Sequence, residues 1–356
     1  MPSAPLHVEP GASQEIPVLT DAAHRAGPDV VMPPLVSVVI EGYNEITLST
    51  SVSDTLLALR EQDYPLDRIE VILVTDLSRY RDWSDVADGQ LGFHRVAVVP
   101  APPEAGYFEM KNLGAARATG DIIAFVDSDV HPHVGWASAI VRGIASGADA
   151  VAGVSTFWTR GRQPIPAAVL EAAASVSWGH IPGRAGAGRT PAAALVAHNF
   201  AGRAETIRAM PFGTCYRRNT SNSRLLGDLR GSGRRVDFLS GQRVDHVFSP
   251  RWWLVTLHVR VGWEQHVARR IDDTRANRVV RRTSVLEPFI VAGWALAADA
   301  RAWLRFGRAL GHGPAARAAR WPLVAAASLC ARAAGIVGEF AAIVAPERSR
   351  AWAERQ

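Results

Sequence analysis

The chain has 356 residues, 48% of them hydrophobic and 21% charged. These values exclude a disordered chain and allow one or two domains with a sizeable core. The net charge of +5 is unevenly spread: residues 251–356 hold 17 Arg against 8 acidic side chains, whereas residues 1–250 hold 22 basic and 26 acidic ones. Arginines interleaved with Trp, Val, Leu and Ala suit an anionic membrane surface better than nucleic acid, for which no binding motif is present. An Arg- and Ala-rich genome explains the Arg count but not its placement. Cys215 and Cys330 show no metal or redox spacing. The N-terminus lacks a charged start followed by an apolar run, so no secretory signal is expected.

Residues 1–33 are rich in Pro, Ala and Gly and read as a loose leader. A β-branched run at 35–40 predicts a strand, and apolar residues at helical spacing (Val52, Leu56, Leu59) predict a helix over 47–62. Strands are predicted at 69–74 and 96–99, a helix over 111–119 ended by Gly120, and a strand running to Val126. A helix over 136–146 and a strand over 148–154 follow. Strands alternating with helices predict an α/β domain, a mainly parallel sheet with helices on both faces. The glycine-rich segment 183–189 is a flexible loop, either a lid over a site or a mobile surface loop. A helix over 225–232 and a strand over 235–239 complete this part. Past Arg251, residues 252–282 are amphipathic and Arg-rich, and 285–298 and 322–345 are apolar.

Neither apolar stretch is a clean span. The first falls short of the ~20 residues a bilayer needs. The second carries Arg332 and Glu339, seven apart and nearly on one helical face, where they pair with each other or face a partner helix. Helices lying in the membrane interface, or dipping partly into it, are favoured over spanning ones. The alternative is ordinary Ala-rich packing against the catalytic domain.

The chemistry concentrates at 121–129, Asp-Ile-Ile-Ala-Phe-Val-Asp-Ser-Asp. A buried strand delivers its last residues to the carboxyl edge of a sheet, where α/β proteins place their sites. In an extended segment Asp127 and Asp129 point the same way and offer hard oxygen ligands to Mg or Mn. The competing reading is a solvated Asp-Ser-Asp turn. His131 and His133 have a zinc-like spacing, but no further Cys/His cluster completes such a site. No G-x-G-x-x-G follows the first strand, which excludes a dinucleotide-binding dehydrogenase.

The ordered pieces Glu-Gly-Tyr-Asn-Glu (41–45), Thr-Asp-Leu-Ser (75–78), Lys-Asn-Leu-Gly-Ala-Ala-Arg-Ala-Thr-Gly-Asp (111–121) and Asp-Ser-Asp (127–129) resemble the family 2 glycosyltransferases, which have the GT-A fold. The resemblance runs from about Leu35 to His246. It implies a GT-A domain over 34–250, followed by a basic helical region over 251–356. It also implies binding of a nucleotide-diphosphate-sugar donor by Glu41, Tyr43, Glu45, Asp76, Lys111, Asn112 and Asp127. A divalent metal, Mg or Mn, would be held by Asp127, Asp129 and His246, the last within Arg-Val-Asp-His (243–246). His198, Asn199 and Arg203 stand in the segment that shapes the sugar and acceptor pocket, to which Asn222 is also assigned. Lys111 is the only lysine in the chain, and a compact ammonium there suits a bridge between Asp76 and the diphosphate.

One departure bears on mechanism. Inverting members usually carry two acids where this chain has Ser221-Asn222, and Asn222 cannot take the acceptor proton. Asp228, further along the same helix, and Asp237, on the next strand, are the candidate bases. Tyr216-Arg217 resembles the Tyr-Arg-Gly start of a subgroup, and a different mechanism in that subgroup is a second explanation; loss of transfer activity is a third. The resulting expectation is a cytoplasmic, membrane-associated inverting glycosyltransferase with a lipid-linked, envelope or small-molecule acceptor. The alternative is a catalytically impaired GT-A-like scaffold or nucleotide-sugar-binding protein.

Overall fold

The structure is a computed structural model. It describes residues 32–43, 52–76, 92–159, 165–186, 188–214, 218–271, 277–278, 280 and 284–354. The chain divides into Met1–Pro33 and Pro34–Gln356, and the architecture below is that of the second unit. The expected leader lies, but for its last two residues, outside the described residues.

The strands are β1 (Val36–Glu41), β2 (Ile69–Thr75), β3 (Arg95–Pro100), β4 (Ile122–Asp127), β5 (Val130–Pro132), β6 (Ala150–Trp158), β7 (Phe200–Arg203) and β8 (Val236–Val247). They form one sheet in the order β3-β2-β1-β4-β7-β6-β8-β5. The β3-β2-β1-β4 part is parallel, β7 runs antiparallel to both neighbours, β8 is parallel to β6, and β5 is antiparallel to β8. Every residue of β1, β2 and β4 is buried, as expected of parallel strands covered on both faces. Val38 and Ile40 pack with α1 (Val52–Arg60) and α3 (Trp136–Ala145) on one face. Val39, Ile72 and Phe125 pack with Phe108 and Met110 of α2 (Tyr107–Arg117) on the other. The predicted alternation is present, and the sheet is mixed beyond β4.

Element boundaries differ where local signals compete. Helix α2 begins at Tyr107, a turn before the expected start, with Glu109 Oε2 accepting from Gly106 N at 2.8 Å. Helix α4 (Ala167–Trp178) had no predicted counterpart, because it is apolar almost all round and shows no clean stripe. Strand β8 runs twelve residues, past the expected end at Leu239, with a bulge in its pairing with β6. Gly153 faces Leu239 and Val154 faces Arg243, which brings His246 opposite Phe157. A Cβ on Gly153 would lie 1.9 Å from Gln242 O, so only glycine fits inside the bulge.

After β7 come α5 (Ala204–Ala209) and α6 (Arg218–Gly231). Past β8, a π-helical segment Trp252–Val259 leads into α7 (Arg260–Ile271), α8 (Glu287–Ala309), α9 (Pro314–Val344) and α10 (Pro346–Glu354). Trp253, Trp303, Phe306, Val324 and Ala331 share one apolar cluster with Phe125, Phe157 and Trp178. The C-terminal helices therefore pack into the same core as the sheet. By length and composition α9 could cross a bilayer, with a mean hydropathy of 1.5 over its most apolar window, a third of which is buried.

Arg332 and Glu339 do not pair with each other. Arg332 binds both oxygens of Asp299 on α8, at 2.9 and 3.0 Å, and Ser328 Oγ donates to the same carboxylate. Glu339 accepts from Arg269 of α7, which also reaches Glu287 at 2.9 Å. Burial pushes Glu339 up to about 7 despite the arginine beside it. A Cβ on Gly338 would lie 1.8 Å from Val259 O, so α9 approaches the π-helical segment backbone to backbone.

Truncating one partner of a buried pair strands the other charge. Asp299→Ala is expected to cost about 3 kcal/mol in denaturant unfolding, and Asp299→Leu with Arg332→Met to recover most of it. Equal stabilities of the single and double variants would contradict the assignment.

Candidate metal and donor site

The carboxyl ends of β1, β2 and β4 are in register, with Glu41 beside both Val74 and Asp127. One edge of the sheet thus receives Glu41, Asp76 and Asp127, all at most 4% exposed. Strand β4 ends at Asp127, and Ser128 and Asp129 form a turn into β5. The i, i+2 argument for convergence therefore fails, since Asp129 is not on an extended strand. The turn is held by the fold instead: Thr55 Oγ1 donates to Ser128 O at 3.0 Å, and Val247 N donates to Asp129 O at 3.1 Å. Both carboxylates are buried, so the solvated-turn reading fails too.

Lys111 Nζ lies 2.6 Å from Asp127 Oδ1, and Tyr107 OH reaches the two oxygens of the same carboxylate at 2.9 and 3.0 Å. Tyr107 and Lys111 stand one helical turn apart on α2, so they share a face. The ammonium is fully buried and also lies 4.7 Å from the Tyr107 ring centroid. Its partner is Asp127, in place of the expected bridge to Asp76. Asn112 points elsewhere, exchanging hydrogen bonds with the backbone of Phe212 at 2.8 and 3.0 Å.

The bulged end of β8 supplies His246. Its Nδ1–H donates to Val247 O at 2.9 Å, which fixes the tautomer, and Nε2 lies 3.5 Å from Asp129 Oδ2. The ring stacks on Trp252 at 5.0 Å and meets Trp178 at 5.6 Å and Phe157 at 6.0 Å. His198 sits 5.3 Å away, centroid to centroid, with Nε2 3.0 Å from Ser155 Oγ. Ligand atoms of Asp127, His198 and His246 lie within 4.8 Å of one another, all buried. One carboxylate and two imidazoles, with Asp129 against His246, form a donor set that fits a divalent ion. A second group, His266, Glu287 and Glu339, has similar spacing. There Arg269 and Arg270 already neutralise the carboxylates, so it is an ion-pair network and not a metal centre.

On the donor side, Glu41 accepts from Tyr43 N at 2.6 Å, and the Tyr43 ring meets Tyr107 edge-on at 6.3 Å. Glu45 lies outside the described residues, as do Tyr216 and Arg217.

Other expected site residues are placed elsewhere. Asn199 is buried and structural: it donates to Val154 O and Gln242 O and accepts from Trp136 Nε1. Arg203 pairs with Ile122 at the opposite end of β4, ~16 Å along the strand from Asp127, and donates to Ile144 O. Asp237 pairs with Val151, six positions or ~20 Å from the Phe157–His246 pair, and is ion-paired with Arg189 and Arg235. Asp228 is exposed on α6. Asn222 is buried at the start of that helix, where Ser221 Oγ donates to Gly213 O at 2.8 Å. The segment 183–189 leads into Thr190 and Pro191, which bond the first residues of β8. It lies beside Asp237 and is no lid over the aspartates.

Tyr107, Ser155, Trp178 and Trp252 were not foreseen. Tyr107 was legible from its i, i+4 spacing to Lys111. Trp252 was not, since it comes from beyond the expected domain boundary.

Comparison with known proteins follows this geometry. The family described as "Glycosyl transferase family 2" matches residues 37–207. Glycosyltransferase AglE of Haloferax volcanii is 29% identical over 128 residues, 35% of this chain and 40% of that protein. Probable glycosyltransferase YdaM of Bacillus subtilis is 32% identical over 127 residues, 35% of this chain and 30% of that protein. A mouse relative, "Inactive polypeptide N-acetylgalactosaminyltransferase-like protein 5", is 34% identical over 116 residues, 32% of this chain and 26% of that protein. The chain thus spans at most 40% of the length of these relatives. Among solved structures, mannosyltransferase PcManGT from Pyrobaculum calidifontis, in complex with GDP-Man and Mn2+, superimposes with a TM-score of 0.50 at 20% identity. The match covers 88% of this chain and 90% of that one, and it shows a shared GT-A fold. Residues 37–207, just under half of the chain, are thus similar to the family 2 glycosyltransferases.

Proposed function

We propose that the protein transfers a sugar from a nucleotide-diphosphate donor to an acceptor, with inversion and with a divalent ion, Mg or Mn. The observation that carries this reading is the buried convergence of Asp127, Asp129 and His246 at the carboxyl edge of the sheet, beside Lys111. A bound ion would neutralise charge developing on the departing diphosphate. Lys111 and Tyr107 hold Asp127 in one orientation, and Glu41, Tyr43 and Asp76 line the adjoining edge for ribose and base. The Trp252–His246–Trp178 stack limits water at the ion.

In wild type, Mn is expected to tighten nucleotide-sugar binding in calorimetric titration, and Asp129→Ala to abolish that enhancement. Unchanged binding in Asp129→Ala would refute the site.

The base is the open element of the mechanism. Asp237 is ~20 Å along the sheet from His246 and held by two arginines, and Asp228 is exposed on α6, so Asp228→Asn and Asp237→Asn should each leave the transfer rate within about twofold of wild type. A loss of a hundredfold in either would restore it as the base. Asn222, buried where inverting relatives carry an acid, favours the alternative of a catalytically impaired nucleotide-sugar-binding protein. Release of nucleoside diphosphate in the presence of an acceptor excludes that alternative.

The partner surface of the C-terminal region follows from exposure. Of nineteen large apolar side chains exposed among the described residues, fourteen lie between Leu254 and Val344. Trp321, Leu323, Leu329, Val337 and Val344 lie exposed along α9, and Phe289 and Trp294 along α8. The Phe289–Phe340 contact, 5.8 Å between centroids, sets the start of α8 beside the end of α9. With the Arg excess this apolar face suits an anionic cytoplasmic leaflet and an acceptor held there, lipid-linked in the simplest case. The ion pairs on the buried side of α9 favour lying in the interface over spanning. Full-length protein is expected to sediment with phosphatidylglycerol vesicles more than with phosphatidylcholine ones. Trp294→Glu with Leu329→Glu should abolish sedimentation without changing the circular dichroism spectrum. Equal sedimentation of the variant would refute the surface.

A further inference from the structure

His198 was expected in the sugar pocket, yet the fold turns it toward the carboxylates. It lies in the short 3-10 turn Ala197–Asn199 ahead of β7, between β4 and β6 in the sheet. The neighbouring Asn199 is locked by hydrogen bonds to β6 and β8 backbone, so the turn has little freedom. His198 is 7% exposed. Ser155 Oγ engages Nε2 at 3.0 Å, and Trp178 packs edge-on against the ring at 5.0 Å. These contacts set the ring beside His246, with the planes at 73°. From that position a ligand atom lies within 4.8 Å of both the His246 and Asp127 ligand atoms.

We infer that His198 is a direct ligand of the divalent ion, which makes this a two-imidazole site. The inference rests on the metal-dependent reading above and adds a residue to it. Two physical arguments carry it. First, Asp127 is a weakened ligand: its carboxylate already accepts from the Lys111 ammonium at 2.6 Å and from Tyr107 OH at 2.9 Å. Part of its negative charge is thus neutralised before any cation arrives. An ion at this edge needs donors beyond the carboxylates, and His198 supplies one without adding charge. Second, each imidazole has a hydrogen-bond partner on one ring nitrogen, His246 Nδ1–H donating to Val247 O and His198 Nε2 meeting Ser155 Oγ, and the ligating tautomer of His198 is the one in which Nε2–H donates to that hydroxyl. Ligating histidines are held in this way. Within this arrangement Asp129, 3.5 Å from His246 Nε2, completes the oxygen side of the set.

The ligand chemistry has a consequence for ion choice. Magnesium takes oxygen ligands and keeps several waters. Nitrogen donors favour first-row transition ions, with affinity rising from Mn to Co to Ni. The site is therefore selective for Mn over Mg, and binds Co more tightly than Mn.

The test uses full-length protein and Mn alone, without donor. Pulsed electron paramagnetic resonance of bound Mn should resolve coupling to two imidazole nitrogens in wild type and to one in His198→Gln. The affinity for Mn in His198→Gln should fall by at least the ~10-fold that loss of an outer-shell partner already costs. Ser155→Ala should keep both nitrogen couplings with a smaller loss of affinity, as befits a positioning residue. A single nitrogen coupling in wild type overturns the inference, even if His198→Gln fails to fold. So does unchanged Mn affinity in a folded His198→Gln. A wild type that binds nucleotide-sugar and Mn through one imidazole leaves the functional reading standing and removes His198 from the ligands. A wild type that binds no Mn overturns both the ligand assignment and the metal dependence.

Discussion

The Lys111–Asp127 ion pair is the contact around which the edge of the sheet is arranged. It joins the only lysine in the chain to the last residue of β4, at 2.6 Å and out of contact with solvent. Burying an ammonium and a carboxylate is costly, and the cost is offset only when each is paired and hydrogen-bonded in good geometry. Here the Tyr107 hydroxyl adds hydrogen bonds to the carboxylate, and its ring faces the ammonium. Such a pair adds little to stability compared with a well-packed apolar pair, so its value is positional. It fixes α2 against β4 and holds Asp127 at the place where β1 and β2 also end.

From that point the chemistry of the site becomes a matter of charge balance. The edge concentrates Glu41, Asp76, Asp127 and Asp129 within a largely dry environment. Among the described residues, Lys111 and the imidazoles of His198 and His246 stand beside them, and carboxylates with imidazoles suit a divalent cation. The aromatic wall of Phe157, Trp178 and Trp252 keeps the imidazoles ordered. Trp252 comes from the start of the C-terminal helical region, so the same helices that carry the exposed apolar face also close one side of the site.

The ordered motifs made much of this legible. The strand ends at Glu41 and Asp127 follow from local pattern, because parallel strands buried on both faces leave an unbroken apolar run that stops at the edge of the sheet; Lys111 and His246 were expected there from the family resemblance and not from spacing. Tyr107 was readable at i, i+4 from Lys111. By contrast, Asp237 was a candidate base on a strand expected to end at Leu239. The sequence shows no sign that β8 is twelve residues long, with Asp237 and His246 ~20 Å apart against β6. Arg203 was misplaced for a related reason: a strand's register decides which end of the sheet a residue occupies, and antiparallel β7 carries Arg203 to Ile122 while Phe200 faces Phe125.

By itself the sequence determined the α/β class, the metal-binding aspartates as candidates and the asymmetry of charge, since all three depend on residue type and short-range spacing. Tertiary structure decided what converges. The convergence of Asp127 and Asp129 arises from a turn clamped by β8 and α1, not from strand alternation. The bulge at Gly153 sets His246 beside them, and the turn before β7 adds His198. The partners of Arg332 and Glu339 were settled by helix packing. Each of these depends on contacts between residues tens of positions apart, whose energies come from burial and register and leave no mark in local spacing.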